Sequence, residues 1–146
     1  MTLENLVGLS LEQIDPDPLA IKRLLEAAQR NLQDAGLTAL SNENRFDAAY
    51  KTIMQLANAS FQTSGFRTLT SKAGHHQTMI QSLPKTVGIN QLDMVVLDAL
   101  RKQRNVADYS GDLVTETMVH ECIFHAQELM QAVDDWLHAE HSELVE

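Results

Sequence analysis

Three stretches of the chain carry side chains able to do chemistry. In the first, Arg101, Arg104, Asn105 and Tyr109 fall within nine residues. A guanidinium grips phosphate oxygens through paired N–H donors and stabilises charge building on a reacting phosphoryl group. Tyrosine, with an ordinary pKa near 10, donates a hydrogen bond or a proton but is a poor base. In the second, Lys72, Gly74, His75 and His76 stand together. The free N–H groups of a starting helix favour an anion and lower a histidine pKa, so with Lys72 this corner is a candidate phosphate site. Histidine is the usual proton acceptor near neutral pH. Adjacent residues point about 100° apart on a helix, so His75 and His76 cannot serve one site equally well. Hydrogen bonding between helices is the plainer role for both.

The third stretch, His120 to His125, looks at first like a zinc motif and fails as one. Zinc-binding histidines on one helix face stand four apart, and position 124 is Phe. Asp134, Asp135, His138 and His141 read as a solvated helix end. No metal and no cofactor is expected. Cys122 falls on an apolar helix face, the place of a buried hydrophobe and not of a nucleophile. No phosphate loop and no nucleophile elbow is present.

The elements that must position these residues read as helical throughout. A first helix starts at Asp15–Pro18, where Asp caps and Pro suits the first turn, and stops at Gly36. A second runs from Ser41 or Asn42 to about Thr63, with Phe46, Tyr50, Ile53, Met54, Ala57 and Phe61 on one side. Residues 66–73 read as a loop. A third helix begins near Gly74 and is kinked or ended by Pro84. Asn90 caps a fourth, Gln91 to about Tyr109. Asp112 or Thr115 caps a fifth that reaches about His138 with half its circumference apolar. The expectation is an all-α, up-and-down bundle of four to five helices in one domain over 1–146, its core at about 15–138.

Composition narrows the class. The chain is 44% hydrophobic and 21% charged, with six Gly and three Pro, which excludes disordered and low-complexity chains. No apolar run approaches the eighteen or so residues of a membrane span. Residues 1–10 carry Glu4 and no Lys or Arg, unlike a signal peptide. One cysteine excludes an intramolecular disulfide framework. A cytoplasmic protein without membrane contact is expected. The net charge of −9 argues against nucleic acid, but it is unevenly spread: −4 over 1–50, +5 over 51–104 and −10 over 105–146. A basic middle can present a local positive face.

The fourth helix carries two stripes. Leu92, Val95, Val96, Ala99, Leu100 and Val106 fall in one sector, expected to face the core. Met94, Leu97, Arg101, Arg104 and Asp108 fall on the other side at spacings of three and four, as in a paired-helix seam. Two outcomes are open for that second stripe. A neighbouring helix covers it, with Asp98 and Asp108 pairing to Lys102 and Arg104. Alternatively a second copy of the chain covers it, with Met94, Leu97, Arg101 and Asp108 as a homodimer interface and the arginines near its axis.

The segment Leu100–Tyr109 resembles the signature of HEPN domains, an all-α family whose motif is Arg, then commonly Asn, Asp or His, then His five positions after the Arg. Arg104 and Asn105 match the first two positions; Tyr109 stands where the His would fall. Ser71–Leu83 is similar to a Gly-His-His segment in one branch of HEPN-like proteins. The resemblance implies association with RNA, often as a metal-independent endoribonuclease in a toxin–antitoxin or defence setting, and commonly as a dimer. It implies Arg104 and Tyr109 as the catalytic pair, with Arg101, Asn105, Lys72, His75 and His76 on the RNA. With Tyr109 in that place, the expectation is either such an enzyme with its base unassigned or a catalytically degenerate relative. One of the two histidines can supply the base if the third and fourth helices bring it near Arg104. The alternative is a non-catalytic bundle that binds a protein partner, as an antitoxin, regulator or assembly subunit. In that case Arg101 and Arg104 should be closed off by Asp98 and Asp108.

Overall fold

The computed structural model describes residues 3–69, 74–111 and 113–145. The chain is an all-α bundle with a small two-stranded ribbon. Among the described residues the elements are β1 (Leu11–Gln13), α1 (Pro18–Ala35), α2 (Asn42–Thr63), β2 (Phe66–Thr68), α3 (His75–Gln81), α4 (Leu83–Thr86), α5 (Gln91–Ser110) and α6 (Glu116–Glu140), with short 3₁₀ helices at Leu3–Leu6 and Ser142–Leu144.

Side-chain caps start the four long helices. Asp17 accepts from the Leu19 N–H at 3.0 Å, ahead of Pro18 in the first turn. Ser41 accepts from Asn44 at 3.1 Å, Asn90 from Asp93 at 2.8 Å and Thr115 from Met118 at 3.2 Å. Each satisfies a donor that has no partner inside its helix. Gly111 closes α5 in the left-handed conformation, φ 68°, which a side chain would resist. Pro84 acts as expected: the chain breaks at Ser82, and Pro84 sits in the first turn of the short α4.

The central element is α2. It packs antiparallel on α1 and also touches α6, α3 and α5. Phe46, Ala49, Tyr50, Ile53, Leu56, Ala57 and Phe61 are all buried along it. Burying a large apolar side chain contributes about 1.5–3 kcal/mol, so this stripe is the main source of cohesion. The core continues through Val119, Cys122, Ala126, Leu129, Val133 and Leu137 of α6.

Two expectations are corrected. Residues 66–73 are not wholly a loop, because Phe66–Thr68 pairs antiparallel with Leu11–Gln13. Leu11 faces Thr68, Glu12 faces Arg67 in an ion pair, and Gln13 faces Phe66. Leu3 and Leu11 join the core beneath this ribbon.

The second correction concerns α5, whose two stripes are exchanged. Met94, Leu97, Asp98 and Leu100 are buried, while Leu92, Val95, Val96 and Val106 are exposed. Leu100, expected among the core residues, lies at the overlap of the two sectors and stays inside. The cause is a polar cluster across the bundle. Asp98 finds Gln81 on α3, and Arg104 finds Asp47 and Tyr50 on α2, only when their stripe turns inward, and Arg101 follows with its partner Asp98. Met94 and Leu97 are therefore packed within one chain and cannot form the expected dimer interface. Arg101 is enclosed with them. Asp108, at the rim, is exposed but pairs within its own chain.

Candidate phosphate-binding site

The chemistry-bearing residues converge on a tyrosine. Tyr50 is buried on α2 because it continues the apolar stripe at helical spacing. Its ring forms the floor of the cluster. The Arg104 guanidinium of α5 lies over it, with Cζ 5.1 Å from the ring centroid. At the hydroxyl end of the same ring, α3 brings His76, whose Nδ1 is 3.3 Å from the Tyr50 hydroxyl. The His75 ring stands edge-on to His76, with centroids 4.6 Å apart. Residues 50, 76 and 104 thus meet from three helices.

Carboxylates surround Arg104. Its Nε is 3.3 Å from Asp108 Oδ2 and 3.5 Å from Asp47 Oδ1. Neither oxygen is aligned with the N–H bond, and the Nε donor is buried without an acceptor. The two carboxylates therefore attract the guanidinium by charge while one of its N–H groups stays unspent. The Arg104 side chain keeps 28% of its surface. Arg101 differs. Its Nε donates to Asp98 Oδ1 at 2.8 Å, and the side chain is only 13% exposed. Asp98 also faces Lys102 Nζ at 3.8 Å and the Gln81 amide at 3.5 Å.

Electrostatics sort these groups into states. Burial pushes the Tyr50 phenol up to about 12, against the pull of Arg104 and Arg101, so it stays protonated. Burial, then the charges of His75, Arg104 and Arg101, hold His76 below the ordinary histidine value. His76 is a neutral imidazole near pH 7. For Asp98, burial raises the carboxyl pKa, but the hydrogen bond and charge of Arg101 outweigh it and hold the carboxyl low. Burial pushes the Cys122 thiol up to about 12, which removes it as a nucleophile.

The expected site residues do not all assemble. Arg104 and His76 come together, with His75 and Arg101 beside them. Asn105 is half-buried on the same helix. Tyr109 is not part of the cluster. It stands about 140° round the helix from Arg104 and is 93% exposed on the outer side of α5. Lys72 lies outside the described residues. The anion corner expected at Gly74 is reduced, because α3 has only seven residues and a correspondingly small dipole. Among the described residues, no group of three or more His, Cys, Asp or Glu could hold a metal ion. Among the described residues, no helix is long and apolar enough to cross a membrane.

Sequence reasoning missed Tyr50 and Asp47 as parts of the site. Tyr50 reads as a member of the apolar side of the second helix, and Asp47 takes no part in that reading. Their spacing of three on one helix was the available signal. Comparison with protein-family models and with curated proteins finds no match for this chain.

Proposed function

We propose that this chain is a HEPN-like RNA-associated protein that holds a phosphodiester at the Arg104–Tyr50–His76 cluster. The observation that carries this reading is that His76 and Arg104 share Tyr50. A histidine thus stands beside the motif arginine although position 109 is tyrosine. The cluster has the parts of a metal-independent ribonuclease. The Arg104 side chain keeps 28% of its surface, through which its guanidinium can meet a phosphate oxygen. His76 is neutral, the state in which imidazole accepts a proton. In the tautomer whose Nδ1–H donates to the Tyr50 hydroxyl, the Nε2 lone pair is free for a ribose 2′-OH. Its loss of a proton lets the 2′-oxygen attack phosphorus. The P–O5′ bond then breaks, a 2′,3′-cyclic phosphate forms, and the 5′-oxygen takes up a proton.

The test is RNA cleavage in EDTA by the parent, Arg104→Ala and His76→Gln, with RNA binding measured alongside. Cleavage by the parent that both substitutions abolish supports the ribonuclease. Binding weakened by Arg104→Ala without cleavage supports an RNA-binding bundle that does not turn over. Neither binding nor cleavage overturns the RNA reading.

A second reading is a non-catalytic bundle that binds a protein. It is favoured by the closure of Arg101 against Asp98 and by the apolar outward side of α5. It predicts that Arg104→Ala changes nothing measured on RNA.

A further inference from the structure

We infer that two copies of this chain pair antiparallel through the outward face of α5, about a two-fold axis between Leu100 and Arg101. This inference goes beyond the RNA reading and does not rest on it. Leu92, Val95, Ala99, Lys102, Val106 and Tyr109 follow one another at spacings of three and four and are all exposed. That is the period of a helix seam, and the stripe lies opposite the buried side of α5. Leu113, 84% exposed just past the helix, extends it.

The area fits a partner. With Val96 and Leu113, the large apolar residues of this face leave on the order of 800 Å² open, about one partner's share of a standard interface.

The order of residues indicates a second copy. An isologous interface must be complementary to itself when reversed. Reversed about the proposed axis, Leu92 meets Tyr109 of the second copy, Val95 meets Val106, and Ala99 meets Lys102. Large apolar residues meet at both ends. In the middle, a methyl leaves room for the Lys102 stem. The Lys102 ammonium stays by its own Asp98, 3.8 Å away, so it need not be buried alone. Parallel pairing would set Lys102 directly against Lys102.

Charge agrees. The chain carries −9 overall, and α6 holds six acidic residues and no Lys or Arg. By contrast, α5 is balanced, with Asp93, Asp98 and Asp108 against Arg101, Lys102 and Arg104. Two copies meet there with little repulsion. Arg104 points about 160° away from Val106 round the helix, so both clusters remain outside the interface.

Sedimentation of the full chain from low to high micromolar concentration tests this, with Val95→Glu, Val106→Lys and the double substitution. The parent should be a dimer. Each single substitution should weaken association at least about thirtyfold, because a lone charge is buried twice. The double substitution should restore association to within about tenfold of the parent, since opposite charges then face each other at both ends. Positions 95 and 106 are too far apart to pair within one chain. Both are exposed, so unchanged thermal unfolding of the variants at a concentration where they are monomeric shows that folding is intact. A monomeric parent would mean that something other than a copy covers this face and would overturn the inference. So would a dimer that survives both single substitutions, or a loss that the double substitution does not repair. None of these outcomes depends on the RNA assays.

Discussion

The Arg104 guanidinium lies over the Tyr50 ring, with Cζ 5.1 Å from the centroid, while the Tyr50 hydroxyl reaches His76 at 3.3 Å. One buried side chain thus uses its face for a cation and its edge for an imidazole. The two functions separate by substitution. Tyr50→Phe keeps the ring under Arg104 and should cost about 1 kcal/mol, the value of one hydrogen bond. Tyr50→Leu also removes the face and leaves a partial cavity, and should cost about 2–3 kcal/mol. Urea unfolding of both variants checks the order. Equal losses would mean that the ring face contributes nothing.

The enclosed Asp98–Arg101 pair predicts an asymmetry. Asp98→Asn leaves a guanidinium with little water and no counter-charge, and should destabilise by about 2–4 kcal/mol. Replacing both partners, Asp98→Leu with Arg101→Met, removes the charges together and should recover most of that loss. The comparison is again by urea midpoints. A double variant as unstable as Asp98→Asn would refute the desolvation account.

Acid should weaken the fold in two stages. His76 is held below its ordinary value of 6.5, so the unfolded chain binds more protons there. Stability from this group is complete above about pH 6.5 and declines as pH falls from there toward the folded-state value. The Asp98 carboxyl is held below its ordinary 3.8, so its contribution is present above that value and is lost as pH falls through the folded-state value. Urea midpoints measured stepwise from pH 8 to pH 3 should show both declines. His76→Gln should remove the first and leave the second.

Most of the architecture was legible in the sequence because its signals are local. Asp17–Pro18, Ser41, Asn90 and Thr115 are caps that act within one turn, and the helices they start lie where the spacing put them. Pro84 likewise acts on its own neighbours. The orientation of α5 was not legible. By hydrophobicity alone, Leu92, Val95, Val96 and Val106 outrank a stripe holding Asp98, Arg101 and Arg104. The deciding partners, Asp47, Tyr50, His76 and Gln81, come from segments distant in sequence. The same limit applies to the site. Arg104 and His76 were visible as candidates, whereas Tyr109 was placed by motif position and Tyr50, which joins them, looked like core. The β1–β2 ribbon was missed because three-residue strands are too short for alternation to show.

That ribbon imposes an order in time. Glu12 and Arg67 are partners 55 residues apart, and Leu11 is buried beside them. During synthesis at about 5–20 residues per second, the β1 segment waits roughly 3–11 s for its partner strand to be made. For that interval Leu3 and Leu11 have no completed core to enter, because only two residues lie between the end of α2 and the start of β2. The part of this region made first therefore waits for nearly all of α1 and α2 before it can dock, and until then it offers an apolar, strand-forming segment to anything nearby.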